Sequence, residues 1–157
     1  MATVEKPETF STDVEIRGAK NNDLPQILAL LETCQLHTEG LAAHLSTTLV
    51  ARKENEIVGC SALELYQQLA LLRSVAVKPS FRKRGVGLKL TRAALELARE
   101  SRVTNVYLLT ETASTFFSRL GFIQAPRSDV PEAVKRSVEF TTLCPESATV
   151  MTIPLSP

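Results

Sequence analysis

Apolar residues along the chain switch repeatedly between a spacing of two and a spacing of three to four, the periods of a half-buried strand and of an amphipathic helix. Val14-Glu15-Ile16-Arg17 alternates and predicts a first strand. Asn22 or Asp23 can cap the helix that follows, with Pro25 in its first turn and Ile27, Leu28, Leu30 and Leu31 on its apolar side. Cys34–Leu45 reads as a short second helix carrying His37 and His44. Leu49–Arg52 is the next strand, Glu54-Asn55-Glu56 a polar hairpin turn, and Ile57–Leu65 a longer strand in which Gly59 marks a bulge. Tyr66-Gln67-Gln68 turns the chain into the strand Leu69–Val77, which Pro79 ends. These three strands are expected to form an antiparallel meander.

The stretch Leu69–Arg102 organises the rest. After the strand and its proline comes a basic glycine loop, Arg82-Lys83-Arg84-Gly85-Val86-Gly87. Val86, Leu90, Ala93, Ala94, Leu97 and Ala98 then recur on one helix face, with Lys89, Arg92, Glu96, Arg99 and Glu100 mostly on the other. Downstream, Asn105–Thr110 predicts a strand, Thr112–Leu120 a short helix with Gly121 as its C-cap, Phe122-Ile123 the start of a strand, and Thr149–Ile153 the last strand. Pro131 stands near the start of a short helix within the polar segment 125–142. The expectation is an α/β domain, a mixed sheet with helices on both faces. Residues 1–12 read as a loose polar tail and 13–157 as one domain.

The 157 residues suffice for a core without metal or disulfide. A formal net charge of +1 argues against general nucleic-acid binding or membrane adsorption, so the local cluster Arg82, Lys83, Arg84 points to a small anionic ligand. Trp is absent and base-stacking platforms are not expected. Cys34, Cys60 and Cys144 are widely spaced and form no Cys-x-x-Cys pair, so no disulfide scaffold, zinc site or other metal centre is expected. Neither a signal peptide nor a membrane-spanning run is legible, which makes the cytoplasm the expected location. A strand that ends in a turn whose glycines open a helix is a recurrent anion site, and the loop at Arg82–Gly87 is read as holding a phosphate-bearing ligand.

Arg82-Lys83-Arg84-Gly85-Val86-Gly87 fits the Arg/Gln-x-x-Gly-x-Gly/Ala signature of the GCN5-related N-acetyltransferase (GNAT) family. Leu72–Pro79 resembles that family's fourth strand, and Phe116-Phe117-Ser118-Arg119-Leu120-Gly121-Phe122 resembles its phenylalanine-tyrosine-x-x-leucine-glycine-phenylalanine segment. The element order agrees from Val14 to Ile153. Within the family, Arg73-Ser74, the phenylalanines at 116 and 117, and Leu143–Ala148 resemble acetyltransferases found with arsenic-resistance genes and the transferase domain of amino-acid N-acetyltransferases.

The resemblance implies a GNAT-like, largely antiparallel central sheet and acetyl-CoA as cosubstrate. Backbone N–H groups of the loop would surround the pyrophosphate, with Gly85 and Gly87 permitting close approach and Arg82, Lys83 and Arg84 adding charge. It also implies that Val75, Ala76 and Val77 offer backbone groups to the pantetheine arm where two strands splay, and that the Val75 N–H polarises the thioester carbonyl. Phe117 stands where many members have tyrosine; it can pack beside the cofactor but cannot protonate a thiolate.

Glu64 is the candidate base, acting directly or through water; it can equally bind a substrate cation or lie at the surface. Arg73 interrupts an apolar strand, where alternation groups it with Leu69, Leu71, Val75 and Val77. Such a charge must be paired or face a cleft, and by resemblance to the amino-acid acetyltransferases it would clamp a substrate carboxylate. Ser74 and Cys144 are further acceptor-site candidates, and a packing role for Cys144 stands beside that one. The expected reaction is direct transfer of acetyl from acetyl-CoA to the amine of a small amino acid or amino-acid-like compound, an arsenic-containing one included. A protein or peptide amine, and a non-catalytic acyl-CoA sensor, are the competing readings. A homodimer is compatible with the family.

Overall fold

The computed structural model describes residues 14–156, so the expected tail at 1–12 lies outside the described residues. Seven strands run in the order β1-β2-β3-β4-β5-β7-β6. They are β1 (Glu15–Gly18), β2 (Thr48–Lys53), β3 (Glu56–Tyr66), β4 (Leu69–Val77), β5 (Asn105–Thr110), β6 (Ile123–Gln124) and β7 (Thr149–Pro154). The helices are α1 (Leu24–Thr33), α2 (Val86–Glu100), α3 (Ser114–Arg119) and α4 (Glu132–Lys135). β4 and β5 pair in parallel, whereas β1–β2, β2–β3, β5–β7 and β6–β7 are antiparallel. The mixed, largely antiparallel sheet is the expected one. No helix among the described residues is long and apolar enough to cross a membrane. The chain falls into two compact units, one running to Ala62 and including Ser74–Ala94, the other comprising Leu63–Arg73 and the chain from Leu95 onward.

In the first unit the sheet is covered on both faces. Ile27, Leu30 and Leu31 of α1 pack with Val50, Cys60, Ala62 and Ala76, while Val86 and Leu90 of α2 pack with Ala51 and Val58. The β2–β3 register skips Val58, since Ala51 pairs with Gly59 and Arg52 with Ile57. That extra residue lets both Val58 and its neighbour face α2. Gly59 is required there by close approach. A Cβ on it would lie 2.8 Å from Leu90 Cδ1, 3.1 Å from the Ala76 carbonyl oxygen and 3.2 Å from Val86 Cγ1.

Two local expectations change. Asp23 does not cap α1 through its side chain; the residue is itself helical, and its carboxylate accepts from the Lys20 N–H at 2.7 Å and from Arg17 Nη1 at 2.8 Å. The expected helix over Cys34–Leu45 does not form, because Gln35 at φ 60° ends α1 and Gly40 at φ 82° reverses the chain. A 3-10 segment follows at Leu41–Thr47, interrupted at His44, and His37 precedes it.

The Arg17 guanidinium, by hydrogen bonding, holds the Asp23 carboxyl below its ordinary value. A depressed carboxyl contributes stability that is full above the unfolded value, near pH 4, and is lost as the pH falls through the lower folded value. Asp23→Asn is therefore expected to lower the urea midpoint at about pH 6 and to cost progressively less below about pH 4. A penalty that does not change over that window would refute the pairing.

In the second unit Leu71, Val130, Val134 and Val150 form the core, with Tyr66, Leu69, Tyr107 and Phe140 packed against it. The helix expected over Thr112–Leu120 is shorter, since Ala113 is non-helical and its N–H bonds to Thr110 Oγ1 at 2.9 Å. Its end is as expected. Gly121 at φ 105° lets its own N–H reach the Ser118 carbonyl at 3.0 Å and the Phe122 N–H reach that of Phe117 at 3.2 Å. The rings of Phe117 and Phe122 meet edge-on at 5.6 Å, the apolar contact that accompanies this type of helix stop.

Candidate active site

The glycine loop lies in the first unit, between a 3-10 turn at Pro79–Phe81 and the start of α2. Lys83 has φ 64° and Gly85 has φ 83°, the left-handed region. Alternating handedness of this kind turns successive N–H groups toward one concavity. The opening residues of α2 add N–H groups without intrahelical acceptors and the positive end of the helix dipole. Arg82, Lys83, Arg84 and Gly85 are exposed, Gly87 is half-buried, and Val86 is buried and anchors the helix to the core. Arg82 Nε donates to the Val77 carbonyl at 3.0 Å, and the Arg84 guanidinium stacks over the Phe81 ring at 5.1 Å. The loop can thus hold an anion mainly through backbone, with two of its cations steadied by neighbours.

β4 leads into this loop. Its parallel register with β5 runs from Leu69↔Asn105 to Leu72↔Leu108 and ends there, so Val75, Ala76 and Val77 lie beyond it. Ala76 is buried, and Val75 and Val77 are half-buried. The expected alternation through Leu69, Leu71, Arg73, Val75 and Val77 does not run unbroken. Ser74 has φ 60°, a left-handed residue inside the strand, which shifts the side-chain alternation after Arg73. The Ser74 carbonyl accepts from the Cys60 thiol at 3.2 Å, and burial pushes that thiol's pKa up to about 12.

The second unit holds a buried charged cluster. The turn at Gln67 and Gln68 returns the chain so that Arg73 Nη1 donates to Glu64 Oε2 at 2.9 Å, with side-chain exposures of 0% and 1%. The Tyr66 hydroxyl donates to Glu64 Oε1 at 2.5 Å. Desolvation, reinforced by Glu64, pushes the Tyr66 hydroxyl up to about 12, so it stays a donor at neutral pH. Arg73 Nη2 also lies 3.5 Å from Glu139 Oε2, and the Cys144 thiol donates to Glu139 Oε1 at 3.3 Å. Burial and the Glu139 carboxylate push Cys144 up to about 12 as well. An acyl-cysteine route would need a thiolate, which these surroundings disfavour.

Glu64, Arg73 and Cys144 are therefore linked through one network, and the surface alternative for Glu64 is excluded by its burial. Phe117 is buried against Phe116 and Phe122, with ring centroids 5.0 and 5.6 Å away. Sequence reasoning missed Tyr66 and Glu139. Tyr66 was findable, since it shares the strand face of Glu64 two residues away. Glu139 sits in a π-helical turn at Glu139–Leu143, far along the chain, and no local pattern marks it. No group of three or more His, Cys, Asp or Glu able to hold a metal occurs among the described residues.

A family model for an acetyltransferase (GNAT) domain matches residues 44–124. An uncharacterized N-acetyltransferase of Chlorobaculum tepidum is 32% identical over 144 residues, covering 87% of this chain and 90% of that protein. An amino-acid acetyltransferase of Mycobacterium tuberculosis is 30% identical over 130 residues, covering 76% of this chain and 74% of that one. Among solved structures, N-acetylglutamate synthase from Neisseria gonorrhoeae, complexed with coenzyme A and N-acetyl-glutamate, superposes with a TM-score of 0.80 at 24% identity over 92% of this chain. The chain spans only 35% of that protein's length.

Proposed function

The chain belongs to the GNAT acetyltransferase family, and from that membership we propose that it moves the acetyl group of acetyl-CoA to the amine of a small amino acid or amino-acid-like compound by direct transfer. The observation that carries the cosubstrate assignment is the left-handed turn at Lys83 and Gly85 opening α2. The amino-acid acetyltransferases similar to this chain carry the acceptor class. Residues 13–157 act as one catalytic domain in this reading, since β3, β4 and α2 each run through both compact units.

Acetyl-CoA supplies the acetyl group as a thioester with a thiol leaving group. Backbone N–H groups of Arg82–Gly87 bind its pyrophosphate, and Arg82, Lys83 and Arg84 add positive charge. Val75, Ala76 and Val77 present backbone groups to its amide-bearing arm, and the Val75 N–H is the donor to the carbonyl oxygen, where negative charge develops. Phe117 packs beside the cofactor and gives no proton.

An ammonium has no lone pair, so its proton must leave before the amine attacks. Glu64 takes that proton directly or through water. Tyr66 and Arg73 hold its carboxylate in place, and each carboxylate oxygen can accept more than one hydrogen bond. Arg73 binds the acceptor carboxylate, with Ser74 and the neutral Cys144 thiol as further acceptor contacts.

Coenzyme A release should be followed with acetyl-CoA and a panel of amines. The panel holds amino acids, their α-carboxamides, an arsenic-containing amino acid and a peptide with a free N-terminus. Amino acids are expected to accelerate release above background hydrolysis. Tight acetyl-CoA binding with no acceleration by any amine would overturn the transferase and favour an acyl-CoA sensor; acceleration by the peptide alone would move the acceptor to proteins.

A further inference from the structure

Arg73 meets two carboxylates, Glu64 at 2.9 Å and Glu139 at 3.5 Å, all within the second unit. The side chains of Arg73 and Glu64 are essentially sealed, at 0% and 1% exposure. A carboxylate arriving from an acceptor would be the third around Arg73, where like charges are poorly screened. It can reach Arg73 by exchange but not by addition.

The two resident carboxylates are not held equally. Glu64 makes the shorter contact, and its second oxygen accepts from the Tyr66 hydroxyl at 2.5 Å. Glu139 makes the longer one, and its second oxygen accepts from a thiol, a weak donor, at 3.3 Å. Its side chain keeps 11% exposure, the most of the three. It also stands in a π-helical turn, an uncommon geometry that recurs at functional sites.

From this asymmetry we infer that Glu139 is a positioning residue that sets acceptor specificity: its carboxylate competes with the acceptor's carboxylate for Arg73. The inference rests on the reading that Arg73 binds that carboxylate. Glu139 touches the guanidinium and acts on the acceptor through it. Affinity for an amino acid is then the difference between two similar contacts, whereas an acceptor without a carboxylate leaves Glu139 where it is.

The test is calorimetric binding of L-glutamate and of its α-carboxamide to wild type, Glu139→Gln and Glu139→Asp, with folding checked by circular dichroism. Glu139→Gln keeps the shape and removes the charge. It is expected to bind L-glutamate about tenfold more tightly and the carboxamide within about twofold of wild type. Glu139→Asp keeps the charge one methylene further from Arg73 and should fall between, which keeps the test open if the glutamine variant does not fold. Equal or weaker glutamate binding by the variants, or the same gain for the carboxamide, would overturn the inference. So would the absence of glutamate binding to every protein. The broader transferase reading fails separately, when no amine accelerates coenzyme A release.

Discussion

Gly85→Pro is expected to weaken acetyl-CoA binding by about a hundredfold or more while leaving the sheet and helices folded. Gly85 has φ 83°, and a proline ring holds φ near −65°. The substitution also drives Arg84 toward extended backbone. Both effects destroy the handedness that turns the N–H groups of the loop to one side, and proline removes one of those groups outright. A hydrogen bond to a charged group contributes about 1.5–3 kcal/mol, so losing two amounts to about 3–6 kcal/mol, a hundredfold or more in affinity. Arg82→Ala should cost only about tenfold and depend on salt, because an exposed charge is screened. Calorimetric titration with acetyl-CoA at two salt concentrations separates these cases. A folded Gly85→Pro protein that binds like wild type would remove the loop from the cofactor site.

That contrast explains why the loop is legible in the sequence. Its proposed role depends on backbone conformation, and glycine spacing reports backbone conformation directly. The helix face from Val86 to Ala98 was readable for a similar reason, because one period governs the whole element. The Gly121 helix stop also follows from a local rule. What escaped was non-local or strained. The left-handed Ser74 breaks a strand whose residue types promised regular alternation. The left-handed Gln35 and Gly40 keep Cys34–Leu45 from forming the expected second helix, although that stretch carries no proline to announce it. Asp23 has the composition of a helix cap, yet Arg17 and the Lys20 N–H outbid the helix for its carboxylate.

The charged cluster was half legible. Glu64 and Arg73 lie on strands joined by a short turn, so their meeting could be read from the hairpin, and a buried arginine demanded a partner. The second carboxylate could not be read. Glu139 reaches Arg73 from the C-terminal segment, across a chain separation that leaves no periodic trace.

Arg73→Met is expected to destabilise the protein by about 3–5 kcal/mol, because it leaves two buried carboxylates without their cation. Replacing Glu64 and Glu139 by leucine in the same protein should return most of that loss. A buried ion cluster exchanged as a whole for apolar side chains of similar volume is often neutral or stabilising. Urea unfolding of the single, double and triple variants measures this as strong non-additivity, with the triple variant within about 2 kcal/mol of wild type. An Arg73→Met variant that costs less than about 1 kcal/mol would contradict a sealed cluster. The triple variant carries the further consequence. It should be folded and able to bind acetyl-CoA, yet unable to acetylate an amino acid if Glu64 is the base and Arg73 the cation that binds the acceptor. A triple variant as stable as wild type but inactive on amino acids would show that the charges at 64, 73 and 139 are not needed for stability, as the proposed acceptor role requires.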